Sequence, residues 1–480
     1  MNRPIRRIGL VLALLMVALI VNLTIIQVFM ARDYRDRPGN QRNLLAEYDR
    51  ERGPILVGNE PAARSVETGN TLRYQREYSN GPLFAPVTGF YSLVYGATGL
   101  ERTENNILTG KSDLFFVDRI QQLFAGRRRT GGAVTTTINS AAQEAAFKGL
   151  GSKVGAVVAI EPATGRILAS VQSPSFDPNR LTNHDPASIR EYYNALRDDP
   201  TKPLLNRPIV ALNPPGSTFK LVTTAAALAS GQYTPDSILP GPRAYTLPNT
   251  TTKLHNWNDK ACGTNGQVTL RDALALSCNT AFAWLGVQLG DDALRAQAEK
   301  MGFDTAFDIP LRAARSMYPE NPDVPQTALT AIGQFDVRAT AMQMAMVGAA
   351  IGNGGVTMKP YLVQEVRGQD LAILKTTQPE VFATAMTAAD AATETEMMVN
   401  VVDNGTGSNA RIPGVRVAGK TGTAQTGNDR PSVAWFVSFA PAKNPKVAVA
   451  VMIEDAGTAE ISGNALAAPI AKSVMKAVLR

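Results

Sequence analysis

The segment that most limits what this chain can fold into is its first thirty residues. Arg3, Arg6 and Arg7 precede an apolar run from Ile8 to Met30, in which only Asn22, Thr24 and Gln27 are clearly polar. Such a run is long enough to cross a bilayer. It ends Val28-Phe29-Met30-Ala31, with a bulky Phe29 where a signal-peptide cleavage site wants a small residue. The sequence therefore predicts an uncleaved single-pass anchor over residues 8–30. The basic residues 1–7 are expected on the cytoplasmic side, and everything after about Arg32 outside the membrane.

The rest has the composition of an ordinary globular protein, with 44% apolar and 19% charged residues, which excludes a long disordered chain. The net charge of +7 reads as a solvated basic face or an affinity for an anionic envelope. No RNA-binding aromatic signature or zinc-finger spacing accompanies it, so no nucleic-acid partner is expected. There are only two histidines, His184 and His255, and two cysteines. A Cys/His metal site is poorly supported, a Ser-His-Asp triad has no motif behind it, and no metal or cofactor is expected.

Residues 31–132 form a first region after the anchor. It holds strand-like pieces such as Ala85-Pro86-Val87-Thr88-Gly89-Phe90 but no strong catalytic constellation. Arg127-Arg128-Arg129-Thr130-Gly131-Gly132 reads as a linker into a second region, 133–480. There Gly155 to Ile160 and Arg166 to Val171, joined by Pro162-Ala163-Thr164-Gly165, read as a buried hairpin. Three more strands follow late, at Val415–Ala424, Val433–Ala440 and Val447–Ile453, and then an amphipathic helix from Ala465 to Leu479. Between them, about 185–360, lie helical patches such as Phe219–Ser230 and Thr340–Ile351. A sheet begun early, interrupted by helices and finished late predicts a mixed α/β domain of the α+β kind. It has a five-stranded antiparallel sheet beside a helical subdomain, with a cleft between them.

Three short motifs occur in order: Ser217-Thr218-Phe219-Lys220, Ser277-Cys278-Asn279 and Lys420-Thr421-Gly422-Thr423. Each alone is weak. The decoys Ser473-Val474-Met475-Lys476 and Ser462-Gly463-Asn464 fall after the third motif, in the wrong order. Ser217 follows the breaker Pro214-Pro215-Gly216 and opens an apolar helical run, which puts it at a helix N-terminus with Lys220 on the same face.

The chemistry accounts for the residue types. A serine hydroxyl needs a base. Lys220 serves only when neutral, so burial or a second cation such as Lys420 must depress its pKa. Ser277 is a candidate proton relay to a leaving amine. Asn279 is a candidate partner for a lysine or a substrate amide. Lys420 begins a strand whose edge can pair with an extended peptide, Gly422 allows close approach, and Thr421 and Thr423 can bind a substrate carboxylate. The N–H groups of Ser217 and Thr423 are the expected oxyanion hole.

With these motifs, the chain from Ala133 on resembles the penicillin-binding transpeptidase domain. Gly155 to Gly165, Pro215-Gly216-Ser217, Ile332-Gly333-Gln334 and Asn353-Gly354-Gly355 add to the likeness. The anchor, the Arg52-Gly53 element and the non-catalytic first region resemble class B, monofunctional members. That resemblance implies a peptidoglycan D,D-transpeptidase acting in septation and growth. It would cross-link stem peptides ending in D-Ala-D-Ala through a Ser217 acyl-enzyme, and β-lactams would acylate the same serine. It also implies a polytopic glycan polymerase and divisome proteins as partners.

Other readings fit less well. Residues 31–132 are too few for the glycosyltransferase of a class A protein. A soluble β-lactamase needs neither the anchor nor the first region, and the stretch Asp308 to Arg315 offers only Asp308 as a carboxylate base, with no Glu. A sensor needs a cytoplasmic signalling part, and a scaffold need not keep Lys220, Ser277 and Lys420. A D,D-carboxypeptidase shares the acylation step and stays open. Finally, Cys262 and Cys278 are the only cysteines and lie on the expected outer side, where disulfides persist. In an S-x-N turn Ser277 and Asn279 face the cleft and Cys278 faces away. A Cys262–Cys278 bond is therefore expected, with Cα atoms roughly 4.4–6.8 Å apart.

Overall fold

In a computed structural model the chain is described over residues 2–30, 47–70, 72–115, 130–425, 432–458 and 462–480. Helix α1, Asn2–Thr24, runs on as one wider turn through Ile25–Phe29. Its apolar side chains are exposed. Among the described residues it is the one helix long and apolar enough to span a membrane.

After the anchor come strands β1 (Ile55–Val57), β2 (Glu60–Glu67) and β3 (Tyr74–Tyr78), helix α2 (Gly81–Thr88) and strand β4 (Ala133–Thr136). Helix α3 (Ser140–Leu150) and strands β5 (Val154–Ile160) and β6 (Ile167–Ser173) follow. The helical region supplies α4 (Lys220–Ala229), α5 (Asn279–Leu289) and α6 (Ala341–Gly352). Next are β7 (Val363–Arg367), β8 (Ile373–Thr376) and α7 (Ala388–Asp403). The chain closes with β9 (Ala418–Ala424), β10 (Val433–Ala440), β11 (Val447–Asp455) and α8 (Ala468–Leu479).

Strands β9-β10-β11-β5-β6 form the five-stranded antiparallel sheet in that order. Alternation along β5 gives each face its own core. Val157 and Ala159 pack with α3 and α8, whereas Ala156, Val158 and Ile160 pack toward α4 and α6. Both faces are covered, so β10 and β11 read as continuous apolar runs.

A second sheet has the order β8-β7-β4-β1-β2-β3, with β1 and β4 parallel. It joins β1–β3 from the first region to β7 and β8, which the chain supplies more than two hundred residues later. Beneath it Glu101 is fully buried. It accepts from Arg52 Nε at 2.5 Å, Arg76 Nε at 2.6 Å and the Tyr78 hydroxyl at 3.2 Å. Burial pushes the Glu101 carboxyl up, but Arg76 and Arg52 together outweigh it and hold the group below its ordinary value.

Two local expectations are corrected here. Ala85–Thr88, read as strand-like, belongs to helix α2. Every residue from Leu83 to Thr88 is buried, so the run is apolar all round and carries no period to separate helix from strand. Pro82 sits in the first turn, and Ser175 Oγ donates to the Pro82 carbonyl at 2.7 Å, the acceptor that Pro86 cannot serve. In the expected linker, Arg127–Arg129 lie outside the described residues. Gly131 and Gly132 are anchored, donating to Glu51 O at 2.9 Å and Ile107 O at 3.0 Å. A Cβ at Gly53 would lie 1.9 Å from the Gly132 carbonyl oxygen, so the Arg52-Gly53 element needs its glycine for close packing.

Candidate active site

Ser217 sits in a single 3-10 turn, Gly216–Phe219, that leads into α4. The turn is braced on three sides. Gly216 N–H donates to Gly333 O at 2.9 Å, Trp435 Nε1 donates to Pro214 O at 2.9 Å, and Thr218 Oγ1 donates to Pro215 O at 2.7 Å. Gly333 has φ +71°, and a Cβ there would meet Gly216 O at 2.1 Å, so this crossing is open only to glycine. Gly422 does the same for β9: its missing Cβ would lie 3.0 Å from Pro215 O. Strand β9 thus lies flat against the serine turn, and it is the edge of its sheet.

Lys220 is fully buried. Its Nζ donates to Ser277 O at 2.8 Å and Asn279 Oδ1 at 2.8 Å, and lies 3.4 Å from Ser277 Oγ. Lys420, also fully buried, donates to Ser277 Oγ at 2.9 Å and Thr421 O at 3.0 Å. The Ser277 hydroxyl therefore lies between the two lysines. Burial, and then the charge of Lys420, depresses the Lys220 pKa well below the lysine range; burial alone brings Lys420 down to about 7. Thr421 Oγ1 is 2.7 Å from Thr406 Oγ1, and the Thr423 side chain is exposed beside them.

The structure thus brings Lys220, Ser277, Asn279, Lys420 and Thr421 into one network and sets Ser217 one turn before Lys220. The decoys are elsewhere: Ser473 and Lys476 are exposed on α8, and Ser462 caps the turn before it. Neither histidine contributes its ring. His184 packs edge-on against Tyr48, and His255 pairs with Asp259 at 2.8 Å. Among the described residues no cluster of His, Cys, Asp or Glu could hold a metal. Cys262 and Cys278 are bonded, with Cα atoms 6.2 Å apart.

Three residues near the site carry no sequence motif. Asn256 caps α5, Thr406 supports Thr421, and Phe282 places its ring 5.4 Å from Lys220 Nζ. Asn404-Gly405-Thr406-Gly407 reads as a turn, but nothing in it points to the third motif.

A serine on a braced turn, a buried lysine one turn on, a serine between two lysines and a Lys-Thr-Gly edge strand define a penicillin-recognising serine acyltransferase. The chain belongs to the penicillin-binding protein transpeptidase family. Residues 155–476 match the penicillin binding protein transpeptidase domain, and residues 52–134 match the penicillin binding protein A dimerisation domain.

Among its relatives, the peptidoglycan D,D-transpeptidase PbpA of Mycolicibacterium smegmatis is 45% identical over all of this chain and 99% of its own. PbpA of Mycobacterium tuberculosis is 44% identical over the same shares. The solved penicillin-binding protein A of M. tuberculosis, a ceftriaxone acyl-enzyme complex, superposes with a TM-score of 0.88 at 44% identity, covering 91% of this chain and all of that one. Its penicillin G acyl-enzyme complex gives 0.86 at 44% identity, covering 90% and 100%. The full-length likeness to the actinobacterial penicillin-binding protein A group, which the sequence itself suggests, is therefore supported.

Proposed function

We propose that this chain is a peptidoglycan D,D-transpeptidase whose nucleophile is Ser217 and whose base is Lys220. The observation that carries the reading is the surroundings of Lys220 Nζ. A neutral amine has two N–H bonds and one lone pair. Ser277 O and Asn279 Oδ1 occupy two donor directions at 2.8 Å each, which leaves the lone pair of the neutral amine for a hydroxyl: Ser277 Oγ lies 3.4 Å away, and Ser217 stands one turn back along the chain. Burial, and then the charge of Lys420, favours the neutral form of Lys220 that a base needs.

In the proposed cycle, Lys220 takes the Ser217 proton as Oγ bonds to the carbonyl carbon of the penultimate D-alanine. The N–H groups of Ser217 and Thr423 bind the oxyanion. The C–N bond to the terminal D-alanine breaks, and the proton passes from Lys220 through Ser277 to the leaving amine. An amine of a neighbouring stem attacks the ester, returns its proton by the same route and frees Ser217. Lys420 contributes positive charge, and together with Thr421 and Thr423 it receives the substrate carboxylate, while the peptide lies along the β9 edge and passes Gly422. A β-lactam enters the same path and stays as an ester. D,D-carboxypeptidase activity needs only water as the acceptor of the same ester.

The remaining assignments follow from place. Residues 1–7 form a cytoplasmic tail, 8–30 the anchor, 31–132 a non-catalytic pedestal and 133–480 the transpeptidase domain outside the membrane. The pedestal stands between bilayer and active site, where a polytopic glycan polymerase and divisome proteins would dock. The test of function is incubation of the full chain with a synthetic stem peptide ending in D-Ala-D-Ala plus an amine acceptor. Release of D-alanine with formation of the cross-linked product supports the reading. Absence of both products from protein that binds penicillin would contradict it.

A further inference from the structure

The Ser277-Cys278-Asn279 turn needs outside support. Ser277 has φ +58°, a left-handed conformation that strains a residue with a side chain. Cys278 is the N-cap position of α5, but its sulfur is bonded to Cys262 and offers the helix no cap. The first N–H groups of α5 therefore lack a partner from their own segment.

Asn256 supplies it from another loop. The residue is 4% exposed, and its Oδ1 accepts from Asn279 N–H at 2.9 Å and Thr280 N–H at 3.1 Å. Nδ2 donates to Pro242 O at 3.1 Å and Lys260 O at 2.8 Å. Two N–H groups face its oxygen and two carbonyls face its nitrogen, so the amide cannot flip without breaking all four bonds. The carbonyl of the preceding residue, His255, accepts Asn279 Nδ2 at 3.2 Å. That contact decides which end of the Asn279 amide faces Lys220.

We infer that Asn256, with the His255 carbonyl beside it, is a positioning residue for acylation: it holds the strained turn so that Ser277 O and Asn279 Oδ1 both meet the Lys220 amine. The inference rests on the reading of Lys220 as the base. Loss of the clamp lets the two acceptors drift, and the Lys220 amine loses the fixed orientation they give it. Substrate binding, which falls to β9 and its threonines, does not depend on Asn256. The effect therefore belongs to the acylation rate constant and not to the initial binding constant.

The experiment uses the full chain in detergent micelles with a fluorescent penicillin. Concentration series separate the pre-covalent binding constant from the acylation rate constant, and the endpoint gives the fraction of molecules labelled. Asn256→Ala should acylate at least about thirtyfold more slowly, since small misplacements of catalytic groups cost rate on that scale. Binding should stay within about threefold of wild type and the labelled fraction unchanged. Asn256→Ser, whose hydroxyl is too short to span both N–H groups, should fall at least about tenfold and takes over the test should the alanine variant not fold. Wild-type acylation rates in either folded variant would overturn the inference, as would a reduced labelled fraction at an unchanged rate constant. Ser217→Ala is run in parallel: labelling there refutes the acyl-enzyme reading, whereas fast Asn256→Ala alongside silent Ser217→Ala removes only the role of Asn256.

Discussion

Lys220 and Lys420 are both buried lysines near Ser277, and the proposed cycle gives them different work. Burial depresses both, and Lys220 is the one that follows Ser217 by a single turn. Lys220→Arg keeps a charge but cannot supply a neutral amine near pH 7. Acylation should fall by more than about tenfold, equivalent to about 1.4 kcal/mol of barrier. A smaller loss in stopped-flow acylation would require another base.

The pH dependence has a definite sign. The rate should rise with pH as Lys220 loses its proton, then decline as Lys420, with its pKa near about 7, loses the charge that receives the substrate carboxylate. Lys420→Arg stays charged and should weaken the alkaline decline whatever it does to the absolute rate. An alkaline limb unchanged in Lys420→Arg would remove Lys420 as its source.

At the scale of elements, the Cys262–Cys278 bond ties the S-x-N turn to a neighbouring loop. Closing a loop of about 15 residues contributes roughly 3 kcal/mol in the chain-entropy model. Replacing both cysteines with serine should lower the denaturation midpoint accordingly, and an unchanged midpoint would show the bond to be without weight in the fold. Helix α7 carries a different device. Glu394 is fully buried and neither carboxylate oxygen has a hydrogen-bond partner among the described residues. Burial, with Asp390 second, pushes its pKa well above the carboxylate range. Its folded pKa exceeds the unfolded one, so its contribution to stability is complete below about pH 4.3 and is lost as pH rises through the folded value. Glu394→Gln stays neutral throughout, so its stability relative to wild type should grow from pH 5 upward. A constant difference across that range would contradict a protonated Glu394.

What the sequence revealed follows the same physical lines. The hairpin at 155–171 and the late strands were legible because strands buried on both faces read as unbroken apolar runs. Helix α2 was not, because full burial removes the period that separates helix from strand. The three motifs could be read because their chemistry needs fixed residue types at short spacing. Asn256 and Thr406 could not, since each acts on a distant segment and leaves no local pattern.

For the whole molecule, the second sheet binds the first region to the catalytic one. Strands β7 and β8 arrive from beyond residue 360, so excising the first region would strip β4 of its neighbour β1 and leave only β4, β7 and β8 of the sheet. The Glu101 cluster lies below that sheet. Glu101→Ala leaves two buried guanidinium groups without their carboxylate and should cost about 3–5 kcal/mol of stability, read by denaturation. It leaves the acylation chemistry of molecules that remain folded untouched.

The central claim is a covalent ester on Ser217. Full-length protein incubated with penicillin G, digested and analysed by mass spectrometry should carry one antibiotic mass on the peptide containing Ser217, and Ser217→Ala should carry none. An adduct on another peptide, or an equal adduct on Ser217→Ala, would contradict the account.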